Sequence, residues 1–552
     1  MEVVTVNHVP DLHLDVSDLY HPLNPSLHKA NAWNYYPEVI LYQCLAALGI
    51  SLTSSFDRPG TIGRLSDDVL LNIFCYYLHE SPRFWPTLVH ICRKWRYIVF
   101  GSQQALHLRL ICTPGMPVSK TIDSWPALPI ILEYGGSLTL DPPAPEDEVN
   151  IVAALKRSDR VSSISLTVTT SLLDKLYAIE RPFLELENLI LLSRDSVPLT
   201  VPNSFQCGPQ LRRLHLTRIS FPALLLLLHS SRNLVDLRLH EALDSWYFSM
   251  EELTDALSGM AQLQSLSLHF PPNTDYISPP SLPYRRVVLP ALIRLSFRVP
   301  AKYLERLVLR IDAPRLGYIQ VTLFDKSVID LSGLGEFIDR IGIHKSHHQA
   351  HILSSERAIS ITLTRPGAPT YLLLRLLSEQ SEQPSVVYRI LPHFSASILD
   401  VEDLRISLNT VRPLNQKDSL RSGRWLELIA LFTSVKWLHL DGNGSKNIAR
   451  AIQKADTGSR HLTVLPALLK LYLPQPRPRR ATLSKAVLSF MTSRWRSGHF
   501  IAVEYERLYH LRRGPGTLYA HGLYHYLQSC LKQSPFRIRF ELMKRCSAMS
   551  SF

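Results

Sequence analysis

Residues 211–216 read LRRLHL and residues 234–239 read LVDLRL, and these two stretches decide the fold. In both, leucine occupies the first, fourth and sixth positions, so the last two leucines alternate with polar residues as in a strand with one buried face. Related stretches with aliphatic replacements begin at residues 161, 186, 263, 292 and 316, so that successive units start 23 to 29 residues apart. Leucine accounts for 93 of the 552 residues, so one such stretch has little weight, but seven at this spacing indicate a repeat.

The segments between these strands, such as residues 222–230 and 250–260, are long enough for one helix per repeat. Units of this kind bury their apolar faces only against their neighbours. The sequence therefore predicts an α/β fold, an irregular leucine-rich-repeat solenoid with a curved parallel sheet. Further units are predicted at 358–363, 401–406, 435–440 and 468–473. Eight residues after the first leucine, five units lack the expected Asn or Cys and instead hold Arg194, Ile219, Ala242, Pro271 and Pro300, so no asparagine ladder is expected.

A helical period precedes the repeats. Ser66 can cap a helix that begins with Asp67 and Asp68, two carboxylates favoured at the positive end of a helix. Its apolar residues recur at helical spacing, and they are Leu70, Ile73, Phe74, Tyr77 and Leu78. A second helix opened by Pro86 has its own apolar face, formed by Leu88, Ile91, Cys92, Trp95 and Val99. Two or three helices in about 40 residues bury little surface alone, so the module should dock on a neighbour or a partner.

The stretches LSDDVLLNIF at 65–74 and LVHICRKWR at 88–96 resemble the F-box family. The chain departs from the family pattern at Ser66, where proline is usual, and at Asp68, where glutamate is usual. The resemblance implies binding to a Skp-type adaptor and, through it, to a cullin scaffold. The residues that match the motif, and on which adaptor binding is expected to depend, are Leu65, Ser66, Leu70, Ile73, Phe74, Leu88, Ile91 and Trp95. The alternative interpretation is a small helical cap on a repeat protein.

Longer stretches, among them RIDAPRL at 310–316 and FMTSRWRSG at 490–498, resemble fungal, mainly mushroom-type, F-box proteins with divergent leucine-rich repeats. The resemblance covers about residues 61–504. The expected organisation is a poorly ordered extension at 1–60, the F-box module at 61–101, the repeats at 102–504 and a basic tail at 505–552. The resemblance implies the substrate-recognition subunit of an SCF-type cullin-RING ubiquitin ligase, which binds an unknown protein substrate and has no catalytic role or cofactor of its own.

The formal net charge of +13 is concentrated near the C-terminus, where residues 475–552 contain 14 Lys and Arg against 3 Glu. Tyr509, Tyr519, Tyr524 and Tyr526 lie among these cations, and such a mixture suits phosphate contact and base stacking. A nucleic-acid-binding protein is therefore the alternative function. A solvated tail is the favoured interpretation.

Other motifs carry weaker signals. His344, His347, His348 and His351 have spacing suited to metal ligands, but no Cys, Asp or Glu lies among them, which favours a solvated loop over a zinc site. No phosphate-loop or nucleophile motif occurs, and the seven cysteines never form C-x-x-C, as expected for reduced thiols. The chain shows neither a membrane-length apolar run nor a secretory signal, so no membrane association and a cytoplasmic or nuclear location are expected.

Overall fold

A computed structural model of the chain describes most of the region between residues 65 and 506. The described residues are 65–80, 82–134, 143–177, 179, 181–195, 199–201, 207–241, 250–270, 286–324, 330–342, 348–355, 357–364, 371–377, 383–408, 419–442, 448, 452, 464–474, 485–496 and 498–506. The predicted extension at 1–60 lies outside them, as does the predicted tail apart from residues 505 and 506.

A helical module opens the described part. It consists of α1 (Asp67–Glu80), a 3-10 turn (Pro82–Phe84), α2 (Trp85–Ile91) and α3 (Arg93–Gly101). The predicted start of the first helix is confirmed, because α1 begins at Asp67, and the hydroxyl of Ser66 accepts a hydrogen bond from the backbone N–H of Val69 at 3.4 Å. Pro86 lies in the first turn of α2, where its missing N–H is tolerated.

A mostly parallel main sheet follows, with 16 strands in the described residues. In spatial order they are β1 (Leu110–Cys112), β2 (Ile130–Tyr134), β3 (Val161–Val168), β4 (Asn188–Ser193), β6 (Arg213–Thr217), β8 (Asp236–His240), β9 (Ser265–His269), β11 (Arg294–Arg298), β13 (Tyr318–Leu323), β16 (Tyr371–Leu377), β15 (Ala358–Thr364), β14 (Gln349–Ser354), β17 (Asp403–Leu408), β18 (Trp437–Gly442), β19 (Lys470–Pro474) and β20 (Ala502–Glu506). Two small sheets pair β5 (Leu199–Thr200) with β7 (Ile219–Ser220) and β10 (Val287–Val288) with β12 (Ile311–Asp312).

In the described ranges, eleven further helices connect the strands. They are α4 (Val118–Thr121), α5 (Pro145–Leu155), α6 (Thr170–Leu176), α7 (Leu224–Ser230), α8 (Met250–Ser258), α9 (Ala301–Arg310), α10 (Ser332–Ile341), α11 (Gln383–Ile390), α12 (Ser395–Leu399), α13 (Ser419–Ala430) and α14 (Lys485–Arg496). Their buried side chains join those of the strands in one apolar core along the array. The mixed α/β class and the predominantly parallel sheet are therefore confirmed.

The seven units predicted between residues 161 and 321 all form strands, and their leucine positions align across the sheet. Leu214 of β6 pairs with Leu237 of β8, which pairs with Leu266 of β9, and Leu266 pairs in turn with Leu295 of β11. All four side chains are fully buried. The repeat spacing in the sequence thus corresponds to a ladder of equivalent positions in the core.

The unit predicted at 358–363 was wrong as a parallel strand, because β15 runs antiparallel to both of its neighbours, β14 and β16. Only three residues separate the end of β14 at Ser354 from Ala358, whereas a parallel connection needs a crossover of about a dozen residues or more. At the end of β14, the backbone N–H of Ser355 donates to the carbonyl oxygen of Ala358 at 2.9 Å, and this hydrogen bond joins the ends of the two antiparallel strands. As a result β16, and not β14, lies next to β13.

The array is also longer than the repeat pattern indicated. The repeated pattern begins at residue 161 and its last unit ends at residue 473, but β1 and β2 precede it, within the range 102–504 expected for the repeats, and β20 pairs with β19 beyond the last unit. One helix per repeat was expected, and the described residues between β4 and β6 contain the strand β5, while those between β9 and β11 contain the strand β10. Strands at the two ends have fewer leucines, so the pattern does not reveal them.

Leu483, Val487, Phe490 and Met491 recur at helical spacing in the sequence and predict a helix that closes the last repeat. The helix α14 lies there and packs on the C-terminal part of the core. Val487 and Phe490 are buried, and the guanidinium of Arg494 is buried beside the ring of Phe490. That guanidinium donates to the carbonyl oxygens of Val464 and Leu465, which lie before β19. Burial of this cation is tolerated because its N–H groups donate charge-assisted hydrogen bonds to these two backbone carbonyl oxygens.

Candidate functional site

The core of the helical module is aromatic. Phe74 of α1 and Trp95 of α3 meet edge to face, with ring centroids 4.7 Å apart. The ammonium of Lys94 donates to the carbonyl oxygen of Leu65 at 2.7 Å and lies 3.1 Å from a carboxylate oxygen of Asp67, so α3 is tied to the start of α1. These contacts form a compact three-helix unit from about 35 residues.

The module docks on the first strands of the sheet, as its small size predicted. The indole N–H of Trp85 donates to the carbonyl oxygen of Arg109 at 2.6 Å, and its ring meets that of Trp125 edge to face at 5.0 Å. Arg83 forms an ion pair with Glu133 of β2. Leu106, Leu108 and Leu128 belong to the same apolar cluster as the module. The module is therefore continuous with the array and not a separate body on a linker.

The structure brings the residues predicted for adaptor binding together, but mostly inside the module. Leu70, Ile73, Phe74, Leu88 and Trp95 are at most 2% exposed. Leu65 and Ile91 are half-buried at the edge of the same cluster, and Ser66 is exposed at the start of α1. Five of the eight residues thus hold the module together, and in this conformation they offer little surface to a partner.

Four other apolar side chains of the module are exposed, and the sequence interpretation did not single them out. They are Val69, Tyr76, Phe84 and Tyr97. Val69 and Tyr76 are 43% and 36% exposed and stand seven residues apart on α1, so they lie on the same face of that helix. The signal was available in the sequence, because both are apolar residues that fall outside the buried stripe of α1.

A second candidate surface is the open face of the main sheet, formed by the side chains that alternate with the buried leucines. On the neighbouring strands β6, β8 and β9 these side chains are largely polar. Asp236 accepts hydrogen bonds from His215 at 2.9 Å and from two nitrogens of Arg238 at 3.1 and 2.9 Å. Burial alone would raise the pKa of Asp236, but these donors outweigh it and hold the pKa well below its usual range.

A stacked pair of histidines continues this face. His240 of β8 and His269 of β9 lie with parallel rings 3.8 Å apart. The ring nitrogen Nε2 of His240 lies 2.9 Å from the hydroxyl of Ser267, and Nε2 of His269 lies 3.3 Å from both Ser267 and Ser296. Burial lowers the pKa of His240 to about 3, helped by the neighbouring His269. Burial and the charge of Arg298 lower the pKa of His269 to about 4. Both rings are therefore neutral at pH 7.

This pair predicts a pH dependence of stability. The unfolded chain takes up protons on both histidines near pH 6.5, whereas the folded chain does so only near pH 3 to 4, so the free energy of unfolding should fall between pH 7 and pH 5. The rings are partly exposed, so we expect roughly 1 kcal/mol for each. Urea unfolding of wild type and of the H240N/H269N variant at both pH values measures the effect.

Glu305 acts in the opposite direction, because burial raises its pKa to about 7, and protonation of the folded state in this range stabilises it. The relevant quantity is therefore the difference between wild type and the double variant, since Glu305 is common to both. His229→Asn, on the exposed surface of α7, is the matched control. An equal loss of stability on acidification in wild type and H240N/H269N would contradict the assignment.

The C-terminal half of the open face carries a second polar group. The hydroxyl of Ser407 donates to Asp441 at 3.2 Å and lies 2.9 Å from Nε2 of His351. His439 lies 3.3 Å from a carboxylate oxygen of Asp403 and stacks on Tyr472 at 4.1 Å. In a catalytic triad, the histidine lies between the serine and the carboxylate. Here Ser407 lies between His351 and Asp441 instead. The arrangement holds neighbouring strands together.

The predicted metal ligands are divided by the limits of the described residues. His344 and His347 lie outside them, whereas His351 is on β14 and its ring contacts Ser407. Within the part of the chain that the structure describes, no three His, Cys, Asp or Glu side chains are grouped to hold a metal. Cys75, Cys92, Cys112 and Cys207 are free thiols, and burial raises the pKa of Cys112 and Cys207 to about 12.

None of the helices in the described ranges has the length and apolar character needed to cross a lipid bilayer. The basic residues on which the nucleic-acid alternative depends begin at Arg477 and mostly lie beyond residue 506, so that alternative falls largely outside the described residues. No protein-family model matches the chain, and no curated protein matches it significantly.

Proposed function

We propose that this chain is a substrate-recognition subunit of an SCF-type ubiquitin ligase, in which the helical module is an F-box that binds a Skp-type adaptor and the repeat array binds a protein substrate. The observation that carries the proposal is the direct packing of the module against the start of the array, where Trp85 donates a hydrogen bond to Arg109 and its ring contacts Trp125. A receptor of this kind has to hold its substrate at a defined position relative to the adaptor.

The chain's contribution to the reaction is proximity. A substrate bound on the array is held near a conjugating enzyme elsewhere in the complex, which raises the effective concentration of its lysines. The adaptor links the module to a cullin scaffold. The free thiols of the described residues fit a reducing compartment, and we place the complex in the cytoplasm or the nucleus.

The adaptor contact on this proposal includes the exposed apolar face of α1. Val69 and Tyr76 are 43% and 36% exposed there, and Ser66 is exposed at the start of the same helix. The buried residues Ile73 and Phe74 act indirectly, because they hold α1 against α3. A patch of this kind suits a helical or loop partner that buries apolar surface.

Replacing Val69 and Tyr76 by aspartate is expected to weaken adaptor binding at least tenfold. The substitution removes the free energy that each apolar side chain gains when the adaptor buries it. A tenfold loss of affinity corresponds to only about 1.4 kcal/mol. Because both side chains are exposed, the module should stay folded. Titration of the purified chain with a Skp-type adaptor measures the affinity, and circular dichroism reports the fold.

Val149→Asp is the matched control, since Val149 is similarly exposed on α5 in the array. Its affinity for the adaptor should equal that of wild type. Ile73→Asp should also abolish binding, but with loss of the module's structure, because Ile73 is buried. Wild-type protein that does not bind the adaptor would overturn the proposed function, and full binding by a folded V69D/Y76D variant would overturn the role given to α1.

A further inference from the structure

The open face of the sheet carries unbalanced positive charge on one half only. In the described residues, the open-face positions of β6, β8, β9, β11, β13 and β16 hold one carboxylate and several arginines. These residues are Asp236 and Arg213, Arg238, Arg294, Arg298 and Arg375. Arg238 neutralises Asp236 through two hydrogen bonds. The four remaining arginines, here called the arginine patch, have no carboxylate within 4 Å among the described residues.

On the other half of the same face, carboxylates are at least as numerous as cations: Asp403, Asp441 and Glu504 stand against Arg405 and Lys470. The ammonium of Lys470 lies 3.0 Å from a carboxylate oxygen of Glu504, and the guanidinium of Arg405 lies 3.6 Å from Asp441. At the N-terminal end, the open-face positions of β3 and β4 are uncharged in the described structure, as at Ser165 and Ile190. The arginine patch is therefore bounded on both sides along the sheet.

Arg298 supplies a second, independent sign of a missing partner. Its Nε atom is buried and donates to no acceptor in the part of the chain that the structure describes. A buried N–H without an acceptor is unfavourable, and an incoming carboxylate oxygen would satisfy it. Beside it, the hydroxyls of Ser267 and Ser296 and the neutral ring of His269 form a polar floor without competing charge.

The spacing suits an extended chain. Arg294 and Arg298 are four residues apart on β11, which places their Cα atoms about 13 Å from each other. The six strands from β6 to β16 span about 24 Å at the usual strand separation, or the length of roughly seven residues of extended peptide. Arginine binds carboxylates through two parallel N–H donors, so acidic side chains at intervals along such a peptide match the patch.

We propose that the arginine patch binds an acidic, extended segment of the protein that the array recognises. This inference rests on the proposed function, because it specifies the class of substrate segment. The proposed ligand is a carboxylate-rich peptide, since the charge is spread across a sheet face of peptide length and the surrounding hydroxyls suit peptide groups.

The test uses the purified full-length chain without adaptor and a fluorescein-labelled peptide of twelve residues in which glutamate alternates with serine. Fluorescence anisotropy gives its Kd, and a peptide with glutamine in place of glutamate and a single-stranded oligonucleotide of twelve bases are measured in parallel. Removing two charges in R294Q/R298Q should raise the Kd for the glutamate peptide at least tenfold. R294Q/R375Q, in which both positions are exposed, should do the same and keeps the test valid if the change at the half-buried Arg298 perturbs folding.

The matched control is R232Q/R315Q. Arg232 and Arg315 are exposed in turns outside the open face, so this variant loses the same total charge without touching the patch. Its Kd should change less than twofold. Equal weakening by R232Q/R315Q and R294Q/R298Q, equally tight binding of the glutamine peptide, or tighter patch-dependent binding of the oligonucleotide would each overturn the proposal. Because no adaptor is present, these outcomes are independent of whether the module binds one.

Discussion

Replacing Leu266 by alanine is expected to lower the free energy of unfolding by about 2–5 kcal/mol. Leu266 lies at the centre of the leucine ladder and is fully buried between Leu237 and Leu295 on the adjacent strands. The loss combines the transfer energy of the removed atoms with the cost of the cavity that the neighbours cannot fill. Each unit of such an array is stabilised mainly by its neighbours, so the defect should weaken the coupling of β8, β9 and β11. Urea unfolding followed by circular dichroism measures it.

Leu226→Ala is the matched control. Leu226 is 73% exposed on α7, so this substitution removes the same atoms at the surface. The free energy of unfolding of this variant should stay within about 0.5 kcal/mol of that of wild type. Leu214→Ala and Leu237→Ala should resemble Leu266→Ala, since all three occupy equivalent rungs. If all three behave like the surface variant, the strands have been placed on the wrong residues.

Replacing Gly335 by alanine is the second large expected effect, at roughly 1–3 kcal/mol of lost stability. Gly335 lies in α10, which packs on the 3-10 turn Leu391–Phe394. A Cβ atom at this position would overlap the carbonyl oxygen of His393 and come within 3.2 Å of its carbonyl carbon. Backbone atoms cannot turn aside as a flexible side chain can, and Leu391 and Phe394 anchor this turn in the core.

Helix propensity alone favours alanine over glycine by about 1 kcal/mol and would make this variant more stable than wild type. A loss of stability would therefore report the steric overlap. Gly101→Ala, at the end of α3, is the control because nothing lies within 4 Å of the added Cβ. That variant should be neutral or slightly stabilising. A Gly335→Ala protein as stable as wild type would mean that α10 and the turn at 391–394 do not approach as closely as described.

Much of the array was predictable because its determinants are local. The alternation of leucine and polar residues specifies strands with one buried face, and its recurrence every 23 to 29 residues specifies that the strands are equivalent. Ser66 with Asp67 and Asp68 specified where α1 begins, and the apolar stripe of residues 483–491 predicted a closing helix. In each case the physical cause acts within a few residues.

The sequence interpretation was less successful where long-range pairing decides the result. The stretch at 358–363 has the same apolar pattern as the other units, yet the short connection from β14 makes β15 antiparallel and places β16 next to β13. Strands β1, β2 and β20 complete the sheet with fewer leucines. The alternation of residues shows that a strand has two faces, but not which strand it pairs with.

In the candidate sites too, some features follow from local sequence patterns and others only from the tertiary structure. By itself, the sequence determined that a helical module precedes the repeats and that residues such as His215, Arg238 and Ser296 point away from the leucine core, because their positions follow from periods of 3.6 and 2. Only the tertiary structure decided that most of the predicted adaptor-binding residues are buried, with Val69 and Tyr76 exposed instead. Only the register between strands placed His240 on His269 and brought together four arginines that have no carboxylate within 4 Å in the described part of the chain. Burial and most of the ion pairs depend on contacts between residues 20 or more positions apart, and a local period contains no information about them.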